Sequence, residues 1–495
     1  MKRNEAFNLC LKKPIEAALK IVDLLRRVLE QAALIQKQDQ LIEKLKKKLE
    51  KFERQRAKNS KNSSKPPSTD EFKKPKANPK SRRKKSGKKT GGQTGHKGST
   101  LKFSESPDLT IVHRVTECNG CQNSLKDQPA DHVVKRQVMD IPKPTLITTE
   151  HQSEVKTCSC GCVNKAPFPE DVKAPVQYGT LIQAVAVYLN IYQLIPYKRT
   201  CEVLSDLLGG KISEGTLHNL LKKYAERVEE PLEAIRQHVR ESSVAHFDET
   251  GFRVEGERGW LHVASTQHAT YYQAHPKRGS EAMDAIDILP QFEGRAIHDF
   301  WKSYYTYGCK HGLCNAHHIR ELVFVHEQYE KQTWAEQMIE CLIDIKIETD
   351  QAREISTSLL PEKITEFEQC YQTILDKGYV ENPLPEIPPG TKKKPGPRPK
   401  SKPRNLLERL DKHREEALAF MCDLNVPFDN NLGERDIRMT KVKQKISGTC
   451  RSKEGADIFC GIRSYISTAQ KNSLRSFDAL VQVLEGNAYK PAVFR

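Results

Sequence analysis

The chain has 495 residues, of which 37% are hydrophobic and 29% charged, and its 81 Lys and Arg against 64 Asp and Glu give a formal net charge of +17. That length exceeds a single core and calls for several folded units. No run of about 18 apolar residues occurs, so no membrane span is expected, and the opening Met1-Lys-Arg-Asn-Glu lacks the apolar core of a signal peptide. The 14 Cys fall into two close groups and scattered singles, which suits a reducing cytoplasm better than a disulfide framework.

Residues 1–56 read as a helical region with a coiled coil from Ile21 to Phe52. Ile21, Val28, Ile35, Ile42 and Leu49 form one seam series, and Leu24, Gln31, Gln38, Leu45 and Phe52 the other. Apolar residues every 3.5 positions bury against another helix. That helix is a second copy, or else the apolar stretch Phe7–Leu19 of the same chain.

Residues 57–100 read as a basic, disordered linker. From Glu71 to Thr100 there are eleven Lys and Arg and one acid; from Thr391 to Arg404 there are seven and none. These two segments hold the whole excess of positive charge. They are rich in Pro, Gly and Ser and have little to bury. Solvated linkers are one reading. Contact with the phosphate backbone of double-stranded DNA is the sharper one, carried by Lys73, Lys74, Arg82, Arg83, Lys84, Lys85, Lys88 and Lys89.

Residues 101–175 contain Cys118-Asn-Gly-Cys121 and Cys158-Ser-Cys-Gly-Cys162, with β-prone runs between Val133 and Thr149. Two Cys pairs joined across short strands make a zinc ribbon, in which metal replaces a core too small to stand alone. The second group offers Cys158, Cys160 and Cys162 for two places. Residues 176–240 are helical. Within them Tyr197–Leu208 reads as an amphipathic helix, Gly209-Gly210 as a stop, and Ser213 as the cap of a helix from Glu214. The arrangement suits a helix-turn-helix that binds DNA, with a plain helical pair as the alternative.

Residues 241–324 switch to a two-residue period. Val244–Asp248, Trp260–Ala264 and Thr270–Ala274 read as a meander, Glu281–Leu289 as a crossover helix and Arg295–Asp299 as a returning strand. Asp248 and Asp299 thus end short apolar strands. Glu249 alternates to the opposite face from Asp248. Residues 325–424 are helical and carry the basic loop 391–404. Residues 425–495 are helical again and contain Glu434, with Arg438 one turn on and Asp429 as a rival acid. Carboxylates from two strands and a helix can hold two divalent ions, Mg2+ or Mn2+, of the kind that cut and join phosphodiesters. Lys441, Lys443 and Lys445, with Arg438, are expected on DNA backbone or on a solvated face.

Five stretches carry a family resemblance: Lys58-Asn-Ser-Lys-Asn-Ser-Ser-Lys-Pro-Pro-Ser-Thr-Asp70, Gly91-Gly-Gln-Thr-Gly-His-Lys-Gly98, His246-Phe-Asp-Glu-Thr-Gly251, Cys314-Asn-Ala-His-His-Ile-Arg-Glu-Leu322 and Asp429-Asn-Asn-Leu-Gly-Glu-Arg435. In this order the chain resembles bacterial transposases of the insertion-sequence-66 family. The resemblance implies a multidomain α/β protein: coiled coil, zinc ribbon, helix-turn-helix, and an RNase H-like catalytic core interrupted by a helical insertion. In such a core the first and fourth strands are neighbours, so Asp248 and Asp299 meet, and Glu434 completes a DDE triad. It also favours Cys118, Cys121, Cys158 and Cys160 as the zinc ligands, and matches the Cys314-x-x-His317 pair, which reads as packing and hydrogen bonding at the active-site wall, with a second zinc, needing two more ligands and with His311 near, as the alternative. The implied activity is magnesium-dependent cleavage and strand transfer at the element's DNA ends, in the bacterial cytoplasm, by a homodimer or larger assembly, with or without accessory proteins of the element. A non-catalytic DNA-binding regulator and an endonuclease without strand transfer are the alternatives.

Overall fold

The computed structural model describes residues 14–58, 62, 101–356, 358–384 and 400–492. The basic residues Lys73 to Lys89 and most of the loop 391–404 therefore lie outside the described residues. The described chain begins with one helix, α1 (Pro14–Arg56), of 43 residues, roughly 65 Å long at 1.5 Å per residue. Pro14 takes the first position, where its missing N–H costs nothing, and no Gly or Pro follows before Arg56. Ile15 to Leu19 therefore continue the same rod, while Phe7 to Lys13 lie outside the described residues. The seam side chains Ile21, Leu24, Val28, Ile35, Ile42, Leu45, Leu49 and Phe52 are all 49–68% exposed.

The chain divides into two units. One comprises residues 74–177 and 197–217. Among its described residues is one hairpin, β1 (Val155–Thr157) and β2 (Val163–Lys165), antiparallel around Cys158–Cys162. Gly161 turns this loop at φ +84°, a conformation that costs glycine little. The β-prone run Val133–Thr149 forms no strand, contrary to expectation. Val133 is 71% and Val138 92% exposed, and β-propensity is realised only where a sheet surface has something to pack on. The same unit holds α3 (Tyr197–Leu208) and the start of α4 (Glu214–Arg227). Ser213 caps α4, its Oγ accepting the Thr216 N–H at 3.0 Å.

The larger unit comprises residues 1–73, 178–196 and 218–495, and so includes α2 (Thr180–Val187) and most of α4. Its centre is a five-stranded sheet: β3 (Val244–Val254), β4 (Glu257–Ser265), β5 (Thr270–His275), β6 (Arg295–His298) and β7 (Lys310–Leu313), in the order β5-β4-β3-β6-β7. The first three form an antiparallel meander, and β6 and β7 run parallel to β3. β3 is longer than the expected Val244–Asp248. From His246 to Val254 it pairs with β4 through a two-residue turn, Glu255 at φ 56° and Gly256 at φ 80°, the geometry that matches strand twist. A helix, α6 (Ser280–Ile286), precedes β6.

Both faces of the sheet are covered. α5 (Glu229–Glu241) and α6 pack one side, where Ile235, Val239, Met283 and Ile286 meet Ala245, Phe247 and Ala296. On the other side Ile297 joins a core built by α7 (Asn315–Gln328), α8 (Thr333–Ile355), α9 (Pro361–Glu381), α10 (Lys402–Lys412) and α11 (Arg414–Cys422). Neighbours Ala296 and Ile297 thus enter opposite cores, as strand alternation requires. After these helices come α12 (Asn431–Ile446), α13 (Lys453–Lys471) and α14 (Ser476–Leu484). The free edge of β5 is closed by α13: Thr468 Oγ1 accepts the Thr270 N–H at 3.0 Å and Ser464 Oγ the Tyr272 N–H at 2.8 Å. An open edge would otherwise offer its backbone to other chains.

Candidate active site

The parallel register of β3 and β6 decides where the first two acids lie. Val244 pairs with Arg295 and His246 with Ile297; continued two residues, that register sets Asp299 opposite Asp248. Asp299 follows the last residue of β6, and its Oδ1 accepts the Trp301 N–H at 2.9 Å. Asp248 Oδ1 accepts the Glu249 N–H at 2.9 Å. Both are partly buried.

The third acid arrives on α12, which one amide docks to β3. Asn430 is 2% exposed. Its Nδ2 donates to the Phe247 carbonyl at 2.8 Å, and its Oδ1 lies 2.8 Å from His246 Nδ1. Its backbone N–H points to Cys314 Sγ at 3.2 Å. Asn430 thereby fixes Glu434, one turn later, beside the strand that carries Asp248. A Cβ at Gly433 would sit 3.2 Å from Asn430 Oδ1, so a side chain there would crowd the docking amide. The rival Asp429 is engaged locally, accepting from Asn431 N at 3.0 Å and Nδ2 at 2.6 Å.

Electrostatics mark these carboxylates as one group. Burial, then Glu249 and Asp299, push the Asp248 carboxyl well above its ordinary value, and Glu434 adds to the push. Burial raises Asp299 against the opposing pull of Arg278 and Arg409. Burial likewise raises Glu434, against Arg320. Each anion is disfavoured by desolvation and by like charge, the condition under which a cation is bound most gainfully.

Glu249 lies on the opposite face of β3, with 1% of its side chain exposed. Arg278 Nη2 donates to its Oε1 at 2.6 Å, and Tyr304 Oη to its Oε2 at 2.5 Å. Arg278 is sandwiched by Trp301 and Trp260, 4.2 and 4.9 Å from the two ring centres. Sequence reasoning did not foresee this pair.

At the wall of the site, Cys314 precedes α7 and His317 lies in its first turn. Cys314 Sγ, a His317 ring nitrogen and a Glu434 carboxylate oxygen all lie within 4.8 Å of one another. Burial pushes the Cys314 thiol up to about 12 and holds His317 down at about 4. Arg320 Nη2 stands 3.9 Å from Glu434 Oε2. The i+4 spacing nominated Arg438 for that place; it is exposed and pulls on Glu434 less than Arg320 does. Lys441 Nζ donates to the Gly251 carbonyl at 2.9 Å, Lys443 Nζ to Ser447 Oγ at 3.2 Å, and Lys445 is exposed.

The cysteine groups come together pairwise. Backbone N–H groups of Cys121 and Gly120 lower the Cys118 thiol, and the Cys160 N–H lowers Cys158. Among the described residues no three of Cys118, Cys121, Cys158, Cys160 and Cys162 lie within 4.8 Å of one another.

The sequence pattern described as the transposase IS66 family matches residues 175–458. The chain belongs to the IS66 transposase family. The matched span takes in every strand of the central sheet and all three acids. A second pattern, a family of unknown function (DUF6444), matches residues 12–102, covering α1 and the basic segment. No curated protein matches the chain. Among solved structures, one similarity is to a chain of the cryo-EM structure of the simian T-cell lymphotropic virus intasome in complex with the PP2A regulatory subunit B56 gamma. It has 12% identity, covers 44% of this chain and 78% of that one, and has a TM-score of 0.14, too low to mark a shared fold. Among the described residues no helix is long and apolar enough to cross a membrane.

Proposed function

We propose that this transposase cuts and joins DNA through Asp248, Asp299 and Glu434, in an RNase H-like core. The observation that carries the reading is the β3–β6 register, which sets two acids from distant sequence opposite each other, with Glu434 tied to the same strand through Asn430. The strand order, a meander with two parallel strands beside its first member, supports the RNase H-like assignment.

Three carboxylates supply hard oxygen donors, which fit Mg2+ or Mn2+. Asp248, Asp299 and Glu434 would hold these ions. Bound there, the ions activate the attacking hydroxyl and stabilise the leaving oxygen. In cleavage a water oxygen bonds to phosphorus as a P–O bond to a 3′ oxygen breaks; in joining, a DNA 3′-hydroxyl attacks instead. No covalent protein–DNA link is needed. Arg320 orients Glu434, and Arg278 keeps Glu249 out of the group by pairing it on the other face.

Supporting parts follow the same reading. Cys118, Cys121, Cys158 and Cys160 hold a structural zinc, supported by the N–H groups aimed at Cys118 and Cys158. The helices from Tyr197 and Glu214, together with the basic segments, bind the element's ends, and α1 joins two copies. Asp248→Asn, Asp299→Asn and Glu434→Gln should each abolish cleavage of an end-containing duplex while mobility-shift assays show end binding largely intact. Cleavage surviving any of them would remove that acid from the site; unimpaired transposition in all three would leave a DNA-binding regulator as the reading.

A further inference from the structure

Two buried polar atoms at the site have no hydrogen-bond partner: His317 Nδ1 and Glu434 Oε1. They face each other at 3.7 Å, too far for a hydrogen bond. Donor atoms sharing one tetrahedral ion, with bonds of about 2.0–2.3 Å, lie roughly 3.3–3.8 Å apart. The third member of the cluster, Cys314 Sγ, is within 4.8 Å of both partners' ligand atoms. Arg320 approaches the other Glu434 oxygen, Oε2, which leaves Oε1 for an ion. The Asn430 N–H on Cys314 Sγ is the kind of outer contact that orients a metal-bound thiolate.

We propose that Cys314, His317 and Glu434 bind one thiophilic divalent cation of the zinc class, leaving a fourth position to water. Sulfur, imidazole nitrogen and a single carboxylate suit zinc, cobalt or cadmium; magnesium demands oxygen ligands and parts with water reluctantly. Binding replaces the Cys314 thiol proton, which leaves to solvent. Glu434 is then shared between two metals of different chemistry: a soft ion held on the α7 side withdraws its carboxylate from Asp248 and Asp299. Zinc at this site would switch the enzyme off. Binding stands apart from the magnesium reading of Glu434; only the switching rests on it.

The test uses the zinc-free full-length chain titrated with Co2+, whose thiolate charge-transfer absorption reports sulfur ligation. The wild type should take up one equivalent more than Cys314→Ser, His317→Asn or Glu434→Gln. Cys118→Ser with Cys121→Ser should leave that difference in place. His317→Asn keeps every thiol, so its loss cannot come from the cysteine pairs, and circular dichroism checks that each variant is folded. Equal uptake by all of them overturns the proposal and says nothing against the triad. In the second arm, the ratio of cleavage rates with and without Zn2+ at fixed saturating Mg2+ should fall in the wild type and stay near one in Cys314→Ser. Uptake without inhibition would overturn the sharing and count against Glu434 as a magnesium ligand.

Discussion

The carboxyl group of Asp248 is where fold stability and chemistry oppose each other. Burial and like charge raise the Asp248, Asp299 and Glu434 carboxyls above their ordinary values. In the metal-free fold they therefore hold protons to higher pH than in the unfolded chain. Their stabilising contribution is complete below the unfolded carboxylate pKa, about 4, and is lost as pH rises through the raised folded values. Asp248→Asn removes this term. Metal-free Asp248→Asn should melt above the wild type at pH 8, by about 1 kcal/mol, and the two should converge near pH 4. Added Mg2+ should raise the wild-type melting temperature at pH 8 and leave the variant nearly unmoved. A variant that melts below the wild type at pH 8 would show that Asp248 is held by favourable contacts instead. Arg278 makes the opposite case. It neutralises Glu249, whose side chain is 1% exposed, so Arg278→Leu should cost about 3 kcal/mol in urea unfolding, whereas Arg278→Leu with Glu249→Gln should recover much of that loss.

Among the elements, α1 has the plainest unmet need. Eight apolar seam residues are roughly half to two-thirds exposed on one rod, and Ile15 to Leu19 belong to that same rod. A second copy would be a self-complementary partner, and a two-fold pair is the commonest closed assembly. Ile35→Glu with Ile42→Glu would bury charge at adjacent seam positions, so the protein should sediment as a smaller species; wild-type sedimentation would move pairing elsewhere. Much of the central sheet was legible beforehand. Alternation announced β3, β4 and β5, and an acid at the end of two short apolar runs marked Asp248 and Asp299. β7 was not, because Lys310-His-Gly-Leu313 has almost no apolar pattern and becomes a strand by docking on β6. Arg320 was missed because local spacing pointed to Arg438, while the closer cation comes from another helix. Asn430 drew no expectation of its own; its work is done across 184 positions with His246, and no local pattern encodes that.

For the whole molecule, the uneven charge is the governing fact. The excess of +17 lies in two segments, one of which leads out of α1 and the other into α10. DNA affinity should fall steeply with salt, by about one unit of logarithmic slope per neutralised phosphate. Deleting Lys73–Lys89 should flatten the slope measured by fluorescence anisotropy, and an unchanged slope would reduce the segment to a solvated spacer.

The tie between Asn430 and β3 also sets a time. A chain leaving the ribosome presents α1, the basic segment and the cysteine pairs first. It then completes Asp248 and Asp299, but it cannot assemble the carboxylate group until Asn430 and Glu434 emerge, 184 positions after His246. At about 5–20 residues per second that gap lasts roughly 10–40 seconds. Throughout it, on the proposed reading, the growing chain would carry its DNA-binding parts without the means to cut. On the proposed reading, a product truncated before α12 would keep the DNA-binding parts and lack Glu434, so the late arrival of one amide would separate binding from cutting.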